Sequence, residues 1–207
     1  MEILGYGEDA LTLWTIKNEL DQILSALGDS SSASECTVFF RPSFGRRGGK
    51  NSPQFGEFDF IILSDDFLHL GESKWDRSPE LSDSGSLELR DEQILRHRIF
   101  AFYVREWAYR QYSSWDEFVR HGSAKLASEG IEKPLAPSGS LLASNLMTVL
   151  DTIRDHFPVE PLLTNVLLYL YDGSKSQQLP DEAGHDFIVV PIDCSRDTVD
   201  NFIGIEL

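Results

Sequence analysis

The sequence predicts a mixed α/β fold, a central sheet with helices on its faces. Three observations carry that expectation. Two apolar segments, residues 56–64 and 67–75, flank Asp65-Asp66 as a buried hairpin would. Segments of helical period stand on both sides of the strand-forming stretch. A second strand-forming run, residues 162–171, returns late in the chain. Meandering strands, then a helix, then a returning strand make a mixed sheet.

The elements follow in order. In residues 8–27, Ile16, Leu20, Ile23, Leu24 and Leu27 recur at helical spacing, and Glu8 and Asp9 suit the first turn. Gly28 ends that helix, and the Ser-rich stretch 30–34 is a loop. Residues 35–41 read as a strand, 42–55 as a loop of Gly, Pro, Ser and basic residues, and 56–64 and 67–75 as two more strands. Residues 88–112 read as a long, aromatic-rich helix. Residues 114–157 carry two helical patterns split by the Pro- and Gly-bearing stretch 130–139. The run 162–171 is the strongest strand, closed by Asp172-Gly173, and 186–192 is the last. A chain of 207 residues suits a single domain, 1–207, with 113–158 as a helical insertion.

Composition sets bounds on function. Hydrophobic residues make up 41% and aromatics 11%, enough for a packed core, so a disordered chain is excluded. No apolar run approaches the roughly 20 residues of a membrane span, and the start lacks the layout of a secretory signal. Cys36 and Cys194, far apart in apolar surroundings, read as buried free thiols in a reducing compartment, which suggests a cytoplasmic protein. No Cys/His cluster is spaced for zinc or an iron–sulfur centre. The net charge of −16 argues against a general nucleic-acid coat protein. It leaves room for an enzyme whose local charge follows the strand, or whose partner supplies the affinity. The segment 157–207 holds nine acidic and two basic residues. It reads as a solvated surface, with a partner-docking face or a mimic of DNA charge as the other readings.

The chemistry-bearing residues lie on the hairpin. With a two-residue turn at Asp65-Asp66, each position i pairs with 131 − i, so Asp59 lies opposite Glu72 and Glu57 opposite Lys74. A four-residue turn gives the same register, and an odd-length turn would flip the faces. Cross-strand partners share a face, with Cβ atoms about 4.5–5.5 Å apart. Both faces of the hairpin are otherwise apolar, so four ionisable groups at one end are costly unless compensated. A divalent cation compensates the carboxylates. Mg²⁺ takes hard oxygen ligands, often one or two carboxylates plus waters and phosphates. Lys74, two residues from Glu72, points to the same side and can position an attacking water. The other reading is a surface-facing hairpin end with ordinary ion pairs.

Asp59 on one strand and Glu72-Ser73-Lys74 on the next resemble the signature of the PD-(D/E)XK, or restriction-endonuclease-like, nucleases. The wording Gly56-Glu57-Phe58-Asp59 particularly resembles the Gly-Glu-x-Asp of Holliday-junction-resolvase-like members. The resemblance covers roughly residues 8–112 and the strand at 162–171. It implies an αβββαβ core, in which Asp59 and Glu72 bind the metal and Lys74 serves the attacking water. It also implies the Ser73 backbone carbonyl as a further ligand. Mg²⁺ is the implied cofactor, with Mn²⁺ substituting.

Further candidates come from the same resemblance. Many members carry a glutamate on the first helix that points at the metal. Glu19 fits, and a solvated helix flank is its other reading. Some place a glutamine on the helix after the Glu-x-Lys strand. Gln93 shares a stripe with Leu89, Phe100 and Val104 and should point inward, with His97 one turn later in place of an aromatic. A hydrogen-bonded buried pair is the other reading. The loop from Arg41 to Lys50 is the dense basic stretch, with Arg41, Arg46, Arg47 and Lys50 and no acid through residue 56. Its arginines suit phosphate contacts and it leads into the metal strand, so it is the expected nucleic-acid-binding loop. A solvated surface loop is its other reading. His69 reads as a core or interface histidine.

The expected function is therefore Mg²⁺-dependent hydrolysis of phosphodiester bonds in DNA, in restriction or phage defence. The rival is a non-catalytic binding subunit of the same fold, working in a larger complex with a protein partner or as a homodimer. An acidic scaffold with an accidental motif would leave Asp59, Glu72 and Lys74 apart in space.

Overall fold

The computed structural model describes residues 1–45, 51–76, 87–110, 112–175, 179–180, 184, 186–199 and 202–206. Their contacts divide the chain into two compact units. One comprises Met1–Phe40, Phe58–Leu89 and Thr164–Leu207, the other Arg41–Glu57 and Arg90–Leu163.

The first unit is built on a mixed five-stranded sheet. Its strands are β2 (Thr37–Phe40), β5 (Phe60–Leu63), β6 (Phe67–Trp75), β7 (Leu162–Tyr171) and β8 (Phe187–Asp193), in the order β2-β5-β6-β7-β8. The pairs β2–β5 and β5–β6 are antiparallel, and β7–β8 is parallel. The expected helix over 8–27 forms as two, α1 (Glu8–Asn18) and α2 (Leu20–Ala26). The break is at Glu19, whose φ of −125° and ψ of 19° leave the helical region. Gly28 adopts a φ of 73° and the Asp29 N–H returns to the Leu24 carbonyl at 2.9 Å, the left-handed closure that glycine permits. Trp14, Ile23 and Leu24 from these helices bury against Phe60, Ile62, Val166, Leu168 and Ile192 of the sheet.

A second, three-stranded sheet lay outside the sequence expectations. Strand β1 (Glu2–Tyr6) pairs with β10 (Phe202–Glu206), which pairs with β9 (Thr198–Val199). It contributes Ile203 and Ile205 to the same core.

The β5–β6 hairpin follows the expected register. Phe60 pairs with Gly71, Ile61 with Leu70, Ile62 with His69 and Leu63 with Leu68. Every residue of β5 is buried, as is β6 from Leu68 to Lys74. Gly71 is required here, because a Cβ on it would stand 2.0 Å from the Phe60 ring. One expectation fails. The strand over 56–64 is interrupted, so Glu57 does not face Lys74. Glu57 lies in β4 (Gly56–Glu57), which pairs with β3 (Ser43–Phe44), and Ser43 is its partner. Gly56 turns the chain there with a φ of 123°.

The second unit holds β3, β4, α3 (Asp91–Tyr103), a π-helical turn (Val104–Ala108), α4 (Trp115–Ser128) and α5 (Leu141–His156). The expected helix over 88–112 thus ends in a π turn. An aromatic stack forms its core: Phe44 on Phe55 at 5.2 Å, Phe44 on Phe100 at 5.3 Å, Phe55 on Tyr103 and Tyr103 on Trp115 at 5.9 Å each. Among the described residues no helix is long and apolar enough to cross a membrane. Both cysteines are free; Cys194 is buried, whereas Cys36 is only half-buried.

Candidate active site

Strand alternation places Leu68, Leu70, Glu72 and Lys74 on one face of β6, and Gly71, Ser73 and Trp75 on the other. Glu72 is 1% exposed and Lys74 7%, so both are buried. Asp59 stands one residue before β5. Its N–H donates to the Gly71 carbonyl at 3.2 Å, and its carboxylate accepts from the Ser73 N–H at 2.8 Å. These two bonds bracket Glu72 and bring Asp59 alongside it.

The electrostatics follow from that placement. Burial and the neighbouring Glu72 carboxylate push Asp59 up to about 7, against the partial relief of the Ser73 N–H and the Lys74 ammonium. Glu8 adds to the repulsion. Two acids held together in a buried place favour the neutral form of one of them. The result is a carboxylate that titrates near neutrality beside a second carboxylate and an ammonium.

Glu8 is the acid that the first helix brings here. One oxygen lies 3.7 Å from Lys74 Nζ, and the other accepts the Trp75 N–H at 3.2 Å. Glu19 goes elsewhere: its carboxylate accepts from Arg196 at 3.3 Å. Sequence reasoning read Glu8 as a first-turn acid answering the helix dipole, and missed this contact. Apolar spacing carries no signal of it, because the contact depends on where the start of α1 lies against β6.

The remaining candidates are each placed by their own neighbours. Gln93 is buried, as its stripe implied, and accepts the Arg90 N–H at 3.2 Å, closing the first turn of α3. His97 is buried on the same helix. Arg41, in a left-handed conformation, is bound to Glu57, its Nε donating at 2.8 Å. Arg46, Arg47 and Lys50 lie outside the described residues. Ser73 Oγ is buried with no hydrogen-bond partner among the described residues.

A divalent cation suits this donor set. Among the described residues no group of three or more His, Cys, Asp or Glu is arranged to hold a metal. Mg²⁺ does not require one, since one or two carboxylates with waters commonly suffice. The direction of the Asp59 shift is the relevant observation. A carboxylate raised by burial and by a like-charged neighbour would gain from a cation shared with that neighbour. The chain matches no protein-family model, no curated protein and no solved structure.

Proposed function

We propose that the chain is a divalent-metal-dependent nuclease of the restriction-endonuclease-like class, acting on DNA, with Asp59, Glu72 and Lys74 as its catalytic residues. One observation carries the reading: Asp59 is brought beside Glu72 and Lys74 and is raised to about 7 by burial and by Glu72. The element order supports it. A helical segment, then β2, β5 and β6, then α3, then β7 is the order of an αβββαβ core. The sheet order β2-β5-β6-β7 keeps those strands adjacent.

In this reading Asp59 and Glu72, with the Ser73 carbonyl, hold Mg²⁺ or Mn²⁺. The cation would neutralise phosphate charge and lower the pKa of a bound water. The protein's part is positional. The Ser73 N–H fixes one Asp59 oxygen, and burial keeps Glu72 extended from a rigid strand. Lys74 orients the attacking water by hydrogen bond and offsets charge developing on the phosphate. Glu8 fixes the ammonium from the side of α1, a positioning role. Restriction or phage defence is the biological setting proposed for such an activity.

The test is cleavage of plasmid, single-stranded and branched DNA, and RNA, in Mg²⁺ and Mn²⁺. Wild-type protein should cleave DNA only with metal. Lys74→Ala and Lys74→Arg should each lose about 10²-fold or more, because a guanidinium cannot occupy the site of an ammonium. Both should retain metal binding. Full activity in Lys74→Ala would remove the lysine from the mechanism. Absence of cleavage on every substrate would favour the non-catalytic subunit.

A further inference from the structure

The two units differ sharply in charge. The second holds thirteen of the eighteen Lys and Arg but eleven of the thirty-four acids, so it is net +2 while the first is −18. The hairpin with Asp59, Glu72 and Lys74 is therefore embedded in the acidic unit. A polyanion is repelled by most of that unit's surface and needs a foothold elsewhere.

The second unit contains a built cationic surface. Glu106, in the π turn, has a side chain only 4% exposed, yet three cations converge on its two oxygens. Lys125 Nζ of α4 lies 2.7 Å away, Arg110 Nε 3.1 Å and Arg105 Nε 3.5 Å. Their side chains stay 43%, 55% and 36% exposed, so the acid lies beneath and the cations face water. Arg105 also reaches Glu129, and Arg98 donates to the Glu129 carbonyl at 2.8 Å. Tyr112 completes the group, its hydroxyl accepting from Lys125 at 3.3 Å. Three cations thus share the Glu106 carboxylate, Arg105 pairs also with the Glu129 carboxylate, and Arg98 stands beside them on the Glu129 main-chain carbonyl, four cations to two acids.

Several donors stabilise a buried carboxylate such as Glu106, but cations gathered around one acid also repel one another, and an arriving anion relieves that repulsion. The arrangement also removes the usual obstacle to phosphate binding. Glu106 and Glu129 already restrain the long side chains, so less rotamer entropy is lost on contact. Arginine forks matched to phosphate oxygens beside a lysine are a backbone-reading set, without base specificity.

We infer that the Arg98–Arg105–Arg110–Lys125 surface around Glu106 is a second nucleic-acid contact, holding the DNA phosphate backbone independently of sequence. It rests on the nuclease reading of Asp59, Glu72 and Lys74, and gives that reading the means by which a strongly acidic chain holds its substrate. Charge complementarity selects the occupant, since a duplex backbone offers closely spaced phosphates to the converging cations.

The experiment is fluorescence anisotropy with a labelled DNA duplex across a salt series, in Ca²⁺ to prevent turnover, with plasmid cleavage in Mg²⁺ run alongside. The variants are Arg110→Gln/Lys125→Gln, which leaves Arg105 on Glu106, and the more exposed single change Arg110→Glu, which guards against a folding defect. Circular dichroism checks the fold of each. The expected result is affinity lower by roughly tenfold in the double variant, with a slope of log K against log salt shallower by about 2. Folded variants with unchanged affinity and slope, beside a wild type that binds and cleaves, overturn this surface and leave the catalytic reading intact. A wild type that neither binds nor cleaves overturns both. Loss of salt-sensitive self-association in the variants, with DNA binding unchanged, would assign the surface to a second copy of the chain and overturn the proposal.

Discussion

Two acids meet the β5–β6 hairpin at its two ends, and they are held in opposite ways. At the turn end, Asp29 accepts from the Ser31 N–H at 2.9 Å, from the Ser31 and Ser64 hydroxyls, and from His69 Nε2 at 2.9 Å. His69 Nδ1 meets the Thr164 hydroxyl at 2.5 Å. Burial opposes the charge on Asp29, but this set of donors wins and holds it down to about 2. At the open end, Asp59 has the Ser73 N–H and a like-charged neighbour, and rises to about 7. Burial opposes the charge on both acids; the supply of donors and the like-charged neighbour differ. A fully satisfied carboxylate stabilises the fold, whereas one left with an acid for a neighbour is kept at a cost.

The largest expected effect separates the two ends by function. Asp59→Asn and Glu72→Gln should each abolish metal-dependent cleavage, by about 10²-fold or more, while Asp29→Asn should keep it wherever the protein remains folded. A cleavage assay at matched folded concentration decides. Equal loss in Asp29→Asn would erase the distinction.

The next effect is in stability, with the order reversed. Asp29→Ala removes the carboxylate that His69 Nε2, the Ser31 N–H and the Ser31 and Ser64 hydroxyls meet, a loss of about 3 kcal/mol in urea unfolding. The sign against pH follows. Asp29 binds its proton less tightly when folded, so its contribution is present above about pH 4 and disappears as pH falls towards 2. Burial also lowers His69, against the pull of Asp29. The unfolded chain then binds that proton more tightly, and stability falls as pH drops below about 6.5.

Asp59 has the opposite sign. Folded Asp59 holds its proton more tightly than the unfolded chain, so its cost grows from about pH 4 and is complete above about 7. Asp59→Asn should therefore stabilise the metal-free protein at pH 8, by about 1–2 kcal/mol after allowance for solvent screening. The gain should vanish at pH 4. A metal-free Asp59→Asn no more stable than wild type at pH 8 would mean the acid is already compensated by the protein.

The smallest effect sharpens the role of Ser73. Its hydroxyl is buried without a partner among the described residues, so Ser73→Ala should be neutral or stabilising by about 1 kcal/mol. Cleavage should persist, because the expected ligand is the main-chain carbonyl. A large activity loss would give the hydroxyl a role of its own.

The two ends also differ in how far the sequence discloses them. The register of β5 against β6 was legible, because alternation and a short polar turn fix pairing wherever both faces are buried. Asp59, Glu72 and Lys74 were found together for that reason. Glu8 was missed in favour of Glu19, because helical periodicity gives the face of a residue but not where the helix end lies against the sheet. The break at Glu19 moves that residue to Arg196, and nothing in the apolar spacing announces it. Asp29 was not singled out, since its partners are up to 40 positions away in sequence. The β1-β10-β9 sheet was invisible because β1 is mostly exposed and its partner is the chain's other end. The cations around Glu106 come from α3, the π turn, the residues just after it and α4, and only the fold assembles them.

The most direct test of the account is calorimetric titration of Mn²⁺ at pH 6.5, repeated in two buffers of different ionisation enthalpy. With Asp59 near 7, binding should release roughly three-quarters of a proton in wild type, and in Asp29→Asn if folded. It should weaken strongly in Asp59→Asn, without that proton release. Binding of equal strength in Asp59→Asn, or no binding by wild type at millimolar Mn²⁺, would contradict the assignment of Asp59 and Glu72 as the metal-holding pair.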